Sequence, residues 1–322
     1  MPSRWLFAII KFVISVALIG FIAWNFEIGD AIGRLKGLLP GPIFLATAVF
    51  VLLFFNNTFR WLAVMTAINS KLSFWESFRI LYIGVFFNQT LPSSVGGDAV
   101  RMYLSRRAGL PLIGAINGVM LERVATIIGL ILLVIITQPF LFERIGDNPI
   151  KYIFPILAGV VLIGISCLMV LDKLPQKLRK HSIFNGVAKL AVDTRSLFFS
   201  PFWALLSLGL GITGNILLAL AAYLVFSSLS IDVGLVDCLI LMPPVILVTT
   251  IPLSIAGWGL REGAMISAFA FVGVVQGDAF VASILFGLVG IAVSLPGGVV
   301  WMFTGYKRKD IEEEIFVDKV IR

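Results

Sequence analysis

Six long runs of apolar residues, separated by short polar segments, organise the chain. The runs are residues 5–25, 43–62, 110–137, 152–171, 201–227 and 279–303. A helix needs about 20 consecutive, mainly apolar residues to cross the hydrocarbon core of a bilayer, and each run is long enough. The pattern therefore predicts six transmembrane helices in an all-α polytopic membrane protein.

Two further apolar segments, 74–91 and 235–251, lead into breaks that contain Pro and Gly. Lys and Arg mark the cytoplasmic loops of membrane proteins. If the first segment crossed the bilayer, the three arginines that follow it would face the outside. They are Arg101, Arg106 and Arg107. We therefore predict a re-entrant hairpin at 74–107 that opens to the cytoplasm, and a second hairpin at 235–275 that opens outward.

An internal repeat relates the two breaks. Residues 91–101 align with residues 251–261 without a gap, and four residues are identical at an offset of 160. The identical pairs are Pro92 and Pro252, Ser94 and Ser254, Gly97 and Gly257, and Arg101 and Arg261. Each half, 1–140 and 150–304, then holds three crossings and one hairpin, so the halves have opposite orientations. Inverted repeats of this kind place substrate sites near the midplane, at discontinuous helices.

Composition and charge narrow the class. The chain is 59% hydrophobic and 13% charged, whereas soluble domains are about 25% charged, so a soluble fold is not expected. Both cysteines lie in apolar runs, which leaves neither a disulfide framework nor a four-ligand zinc site. The net charge of +7 comes from basic residues beside the runs, so no nucleic-acid partner is expected.

The same charge bias predicts the topology of a single transmembrane domain, 1–322. The basic segment 172–200 is expected to be a cytoplasmic connector, and residues 305–322 a cytoplasmic tail. The first run is too long for a signal peptide and lacks a cleavage site, so we expect a retained helix. Both termini are then cytoplasmic.

Two charged residues, Glu122 and Arg123, lie near the middle of an apolar run. A charge at the centre of a membrane helix costs about 2.5–3.5 kcal/mol. Adjacent helical residues do not face each other, so we predict that each has a partner elsewhere in the bundle. Either the charges serve function, or they are an ion pair that only holds the hairpin in place.

Arg101 and Arg261 follow the two breaks at equal spacing, and guanidinium groups bind phosphate bidentately. Helix N-termini at the breaks would add partial positive charge. The sequence thus predicts a phosphate cradle in which Asp98 and Glu262 neutralise the arginines or contact a cationic head group. Alternatively, Arg101 is only an inside-facing anchor. No catalytic or metal-binding residue is assigned.

Residues that let the chain turn inside the membrane are interpreted as structural. They are Pro92, Gly96, Gly97, Pro252, Gly257 and Gly259. Asn88 and Gln89 are expected to satisfy backbone groups freed by the break, and Asn88 is a further candidate for substrate binding. Arg60 is expected to extend to the cytoplasmic surface beside Trp61.

These motifs resemble the lysylphosphatidylglycerol synthase transmembrane-region family, and nearly the whole chain is similar to the flippase-like domain of the multiple peptide resistance factor. The shared motifs are FNQTLP at 87–92, GGDAVR at 96–101, LER at 121–123 and PLSIAGWGLREG at 252–263. The resemblance implies movement of an aminoacylated or otherwise modified phospholipid, or handling of a hopanoid or polyprenyl lipid, in a prokaryotic inner membrane. Synthesis of the lipid is not expected, because no aminoacyl-transferase domain follows Lys309.

The sequence therefore favours a non-enzymatic, cofactor-free lipid transporter or flippase-like protein whose partner is a lipid with an anionic head group. One alternative is a membrane-embedded transferase with a lipid-phosphate donor and Glu122, Asp98 or Glu262 as general base. Another is an accessory membrane protein without transport activity. A homo-oligomer is compatible with all three classes.

Overall fold

Long apolar helices make up most of the structure. The computed structural model describes residue 20 and residues 33–90, 96–145, 153–169, 182–250 and 257–304. Regular structure in these ranges is helical. The helices are α1 (Pro40–Ala67), α2 (Phe74–Thr90), α3 (Gly96–Arg107), α4 (Leu112–Ile145), α5 (Ile153–Leu168), α6 (Ser182–Phe198), α7 (Pro201–Ser228), α8 (Leu235–Thr249), α9 (Leu260–Phe269) and α10 (Gln276–Phe303).

Four helices, α1, α4, α7 and α10, are long and apolar enough to cross a membrane. They confirm as helices the runs predicted at 43–62, 110–137, 201–227 and 279–303. A helix of 28 residues, the length of α1, α7 and α10, is about 42 Å long and exceeds a hydrocarbon core of about 30 Å.

Two of the six predicted crossings are not described as helices of spanning length. The run at 5–25 lies outside the described residues, apart from Gly20. The run at 152–171 contains α5, which has 16 residues and is therefore shorter than the about 20 that a full crossing needs.

The first long helices of the two halves, α1 and α7, begin and end alike. Each has 28 residues and a proline in its first turn, where the fixed φ of proline suits a helix start and its missing N–H is not needed. Two residues beyond each helix, Asn69 and Ser230 have φ of +56°. Their bounds differ by a constant 161 (201 − 40 and 228 − 67), one residue more than the offset at the breaks.

These two helices also pack on each other, and they run antiparallel. The N–H of Leu39 donates to the carbonyl of Ser228 at 2.9 Å, so the start of α1 lies at the end of α7. Further along, Asn56 Nδ2 donates to the carbonyl of Leu210 at 2.9 Å.

The remaining main contacts are reciprocal between the halves. Helix α10 packs on α2 as α4 packs on α8, and α10 contacts α1 as α4 contacts α7. Within the halves, α2 pairs with α3 and α8 with α9. Reciprocal contacts of this kind are what a two-fold relation between two similar units produces.

The two segments predicted as hairpins each contain two helices, α2 and α3 in the first half and α8 and α9 in the second. A Cβ added to Gly97 would lie 1.9 Å from the carbonyl oxygen of Gly84, so α2 and α3 cross in backbone contact and glycine is required there. Gly96 begins α3. In the second half, Gly257 and Gly259 have φ of +80° and +86°, which favours glycine. Pro92 and Pro252 lie outside the described residues.

Part of the connector predicted at 172–200 is the helix α6, which packs on α4 and α7. Its buried Asp193 accepts a hydrogen bond from Asn117 Nδ2 of α4 at 2.7 Å. Lys189 Nζ lies 3.0 Å from the other carboxylate oxygen. The buried hydrogen bond between Asn117 and Asp193 thus fastens this part of the connector to α4.

Candidate functional site

Five charged side chains from α1, α3 and α4 form one connected cluster, which we call the Arg101 cluster. Its members are Arg60, Asp98, Arg101, Glu122 and Arg123. Glu122 is at the centre: its Oε1 accepts from Arg60 Nε at 3.0 Å and Nη2 at 2.5 Å. Its Oε2 accepts from Arg101 Nη1 at 3.0 Å. One carboxylate thus joins α4 to both α1 and α3.

Asp98 of α3 connects Arg101 to Arg123. Its Oδ1 accepts from Arg101 Nη1 at 3.4 Å, and its Oδ2 accepts from Arg123 Nε at 2.7 Å. The prediction that Glu122 and Arg123 each have a partner on another element is confirmed. The expectation that Arg60 extends to the cytoplasmic surface is wrong: Arg60 is buried, because its ion pair with Glu122 offsets the cost of burying the charge.

The cluster has a formal charge of +1, since three guanidinium groups face two carboxylates. Arg101 is 4% exposed and Glu122 3%. The side chain of Arg123 is 46% exposed, so the cluster reaches the protein surface at this residue. Positive charge therefore extends from a buried centre to the edge of the helix bundle.

Helix α2 packs against the side chain of Arg101. A Cβ added to Gly84 of α2 would lie 2.5 Å from Arg101 Cγ, so the arginine stem lies directly on this glycine. Asn88 Oδ1 accepts the N–H of Gly97 at 2.9 Å. Asn88 thus satisfies a backbone group at the start of α3, which is the structural role expected of it.

A second cluster, which we call the Arg261 cluster, lies in the other half. Arg261 Nη2 donates to Glu262 Oε1 at 2.8 Å, and its Nε donates to Ser283 Oγ of α10 at 3.2 Å. The N–H of Gly259 donates to Glu262 Oε2. One guanidinium and one carboxylate give this cluster a formal charge of zero. Glu262 thus satisfies the backbone N–H of Gly259 at the start of α9.

The two arginines have similar surroundings but separate partners. Arg101 lies over the ring of Trp61 and Arg261 over that of Trp258, each with Cζ 4.5 Å from the ring centroid. In the described part of the chain, their ionic and hydrogen-bond partners have no residue in common. Each arginine therefore belongs to its own cluster.

The clusters lie at opposite ends of the helix bundle. Helix α10 runs parallel to α1, because Phe286 contacts Phe50 and Val293 accepts from Tyr82, whose ring packs on Phe54. Arg60 lies seven residues before the end of α1, and Ser283 seven residues after the start of α10. With 1.5 Å per residue, the clusters are about 20 Å apart along the helix axes. The structure therefore does not bring Arg101 and Arg261 together in the one cradle that the sequence predicted.

The sequence did not place Arg60 or Gly84 in the site. A signal for Arg60 was present: Asn56 and Arg60 are four residues apart within an apolar run, so both project from the same side of the helix. A polar stripe inside a membrane helix indicates a buried polar contact. For Gly84 no such signal exists, since one glycine in an apolar run does not show which helix crosses it.

The helices and clusters together define an all-helical integral membrane protein with ionic groups buried among its membrane-spanning helices. The chain belongs to the family described as the lysylphosphatidylglycerol synthase TM region, which it matches over residues 8–298. It is also similar to a UPF0104 membrane protein of Methanothermobacter thermautotrophicus strain Delta H. The two are 22% identical over 306 residues, which cover 84% of this chain and 85% of that protein.

Proposed function

We propose that this protein moves a lipid with an anionic head group between the leaflets of the membrane, without changing the lipid chemically. The observation that carries the proposal is the Arg101 cluster: a formal charge of +1, buried between helices that can cross a bilayer. Charged groups at such depth are costly and commonly mark the path of a substrate.

The proposed architecture has six crossings and two re-entrant hairpins, 74–107 and 235–275, in inverted repeats. Three observations support it: the matched ends of α1 and α7, their antiparallel packing, and the reciprocal contacts of the other helices. A pseudo-two-fold axis relating antiparallel crossing helices lies in the membrane plane, as in inverted-repeat transporters.

The proposed orientation follows from charge. Arg106 and Arg107 end the first hairpin and are exposed, so they and the basic connector belong in the cytoplasm of a prokaryotic cell. Both termini are then cytoplasmic in the inner membrane. The Arg101 cluster occupies the inner half of the bilayer, and the Arg261 cluster occupies the outer half.

The proposed path uses the two clusters in turn. A head group first meets the exposed Arg123, then the buried Arg101, and passes to Arg261 on the other side, while its acyl chains stay in lipid. Helix α10 contacts both hairpins, since Gly287 lies beneath Arg261 and Gly297 lies against Tyr82. Movement of one hairpin is thereby transmitted to the other.

The proposal of a non-enzymatic role is supported by how the carboxylates are used. Each oxygen of Asp98, Glu122 and Glu262 already accepts a hydrogen bond from a guanidinium, hydroxyl or backbone group. A carboxylate held in this way is a poor general base. Purified protein should return a lipid-linked phosphate donor unchanged, and turnover of the donor would favour the transferase instead.

Transport is tested in vesicles that contain the protein and a fluorescent phosphatidylglycerol. A membrane-impermeant reductant bleaches the outer leaflet, and we expect it to bleach nearly all the lipid when the protein is present. Arg261→Ala should slow the inner-leaflet phase at least about tenfold, because one charge-assisted contact contributes about 1.5 kcal/mol or more. Arg106→Ala, which removes an exposed arginine of α3, is the matched control and should behave as wild type. Full protection of the inner leaflet in wild-type vesicles would refute the proposal.

A further inference from the structure

Four hydrogen-bonding groups in and beside the Arg101 cluster have no hydrogen-bond partner among the described residues. They are Arg101 Nε, Arg101 Nη2, Trp61 Nε1 and Ser105 Oγ. All three residues are deeply buried: Arg101 is 4% exposed, and Trp61 and Ser105 are 0% exposed. A buried donor without an acceptor destabilises a protein by about 1–3 kcal/mol. Four such groups together therefore call for an acceptor.

Three residues carry these groups, and two of them are in contact. Arg101 Cζ lies 4.5 Å from the centroid of the Trp61 ring, and Ser105 follows Arg101 by four residues on α3, one turn along the same face. The arginine divides its donors: Nη1 binds Asp98 and Glu122, whereas the edge formed by Nε and Nη2 is left over. That edge is a parallel pair of N–H donors suited to two oxygens of one anion.

Charge selects the kind of acceptor. Water can accept from these donors, but it leaves the formal charge of +1 on the cluster uncompensated, and an uncompensated charge in a poorly hydrated interior is costly. One singly charged oxyanion satisfies the donors and neutralises the cluster together. A carboxylate side chain has this charge, but those of Asp98 and Glu122 are already used.

We propose that Arg101, Trp61 and Ser105 form a binding site for one singly charged phosphate oxyanion. This inference rests on the proposed function in one respect: the phosphodiester of the transported lipid is the expected source of the anion. Arg101 holds two oxygens through Nε and Nη2, and Trp61 Nε1 and Ser105 Oγ donate to the remaining ones.

The site exists in one half only. In the Arg261 cluster, both Nε and Nη2 donate to Glu262, and Nε also to Ser283, so the corresponding edge is occupied. A head group must displace Glu262 to use Arg261. The lipid therefore rests at Arg101 and only passes Arg261.

The inference is tested by binding, measured separately from transport. Purified full-length protein is titrated with short-chain phosphatidylglycerol in detergent and, in a second arm, with inorganic phosphate. Arg101→Lys keeps the charge but removes the pair of N–H donors, and Trp61→Phe keeps an aromatic side chain but removes the indole N–H. Each should weaken binding roughly tenfold, since a hydrogen bond to a charged group is lost, and Ser105→Ala should weaken it several-fold.

Two buried groups on other helices, α10 and α2, provide matched controls. Trp301 Nε1 and Ser77 Oγ also lack a hydrogen-bond partner among the described residues, but Trp301 packs on Phe87 and Ser77 lies on α2. Trp301→Phe and Ser77→Ala should bind as wild type. Thermal unfolding identifies any variant that fails to fold. If the other variants do not fold, the test is the comparison of phosphatidylglycerol binding by Trp61→Phe with binding by Trp301→Phe.

The outcomes separate cleanly. Weakened phosphatidylglycerol binding supports the site with a lipid source, and the same pattern for inorganic phosphate alone supports it with a free anion. If folded Trp61→Phe and Arg101→Lys bind both ligands like wild type, the site is refuted. Normal variant-sensitive binding without lipid transfer in vesicles would instead refute the proposed function and leave the site intact.

Discussion

Glu122 is the residue whose replacement tests the Arg101 cluster most directly. Glu122→Gln keeps the size of the side chain but removes the carboxylate on which Arg60 and Arg101 converge. The side chain is 4% exposed, and removal of one partner from a buried ion pair costs about 3–5 kcal/mol. The formal charge of the cluster also rises from +1 to +2. We therefore expect a large loss of stability from a change of one atom.

The loss is measurable by thermal unfolding in detergent, followed by tryptophan fluorescence. A cost of about 3 kcal/mol should lower the midpoint on the order of 5–10 °C. Glu76→Gln is the control, because the carboxylate of Glu76 accepts from Ser73 at the exposed start of α2. Exposed contacts of this kind contribute less than about 1 kcal/mol.

A double variant shows whether the effect comes from the ion pair. Arg60→Leu combined with Glu122→Gln returns the formal charge to +1 and removes both partners. The combined loss should be smaller than the sum of the two single losses by about 1–3 kcal/mol, as for residues in one network. Additive losses, or a Glu122→Gln midpoint within 1 °C of wild type, would refute the assignment of Glu122 as the centre of the cluster.

Two further changes test the packing around the clusters. Gly97→Ala brings a Cβ to 1.9 Å from the Gly84 carbonyl oxygen, so it should separate α2 from α3 and lower the free energy of unfolding by more than about 3 kcal/mol. Gly159→Ala is the control, because Gly159 has open space around it, and it should not destabilise the protein. Equal unfolding midpoints for the two variants would contradict the close crossing. Asp193→Ala removes the acceptor of Asn117, a loss of about 1–3 kcal/mol, and should speed proteolysis of the connector; unchanged cleavage would show that α6 is held by other contacts.

The membrane-spanning helices that the structure describes could be predicted from the sequence, because the free energy of moving a side chain into lipid depends mainly on its own chemistry. Four runs are helices of spanning length: α7 and α10 match the predicted bounds to within three residues, whereas α1 and α4 continue five and eight residues beyond the predicted ends. The need for partners at Glu122 and Arg123 could be predicted for the same reason, since an unpaired charge at that depth is too costly to persist.

The identity of the partners could not be predicted. Arg60 lies two residues from the end of its run, where extension to the surface is the usual solution, and only tertiary packing places Glu122 beside it. The pair Arg261 and Glu262 shows the converse: neighbours in sequence bond here because the side chain of Glu262 turns back to the N–H of Gly259 at the start of α9. Gly84 was missed because a close crossing depends on two helices at once.

The acidic partners of the two arginines are placed differently. Arg101 and Asp98 of the first hairpin are bonded to Glu122 and Arg123 of α4, so withdrawal of α3 breaks two ionic contacts in a medium where they are strong. Arg261 has its counter-ion beside it on α9, and the hydrogen bonds that join this pair to α10 within the described part of the chain are those of the Ser283 hydroxyl. The pair α8 and α9 can therefore shift with its charges already balanced, whereas α3 is held in place by its ionic contacts with α4.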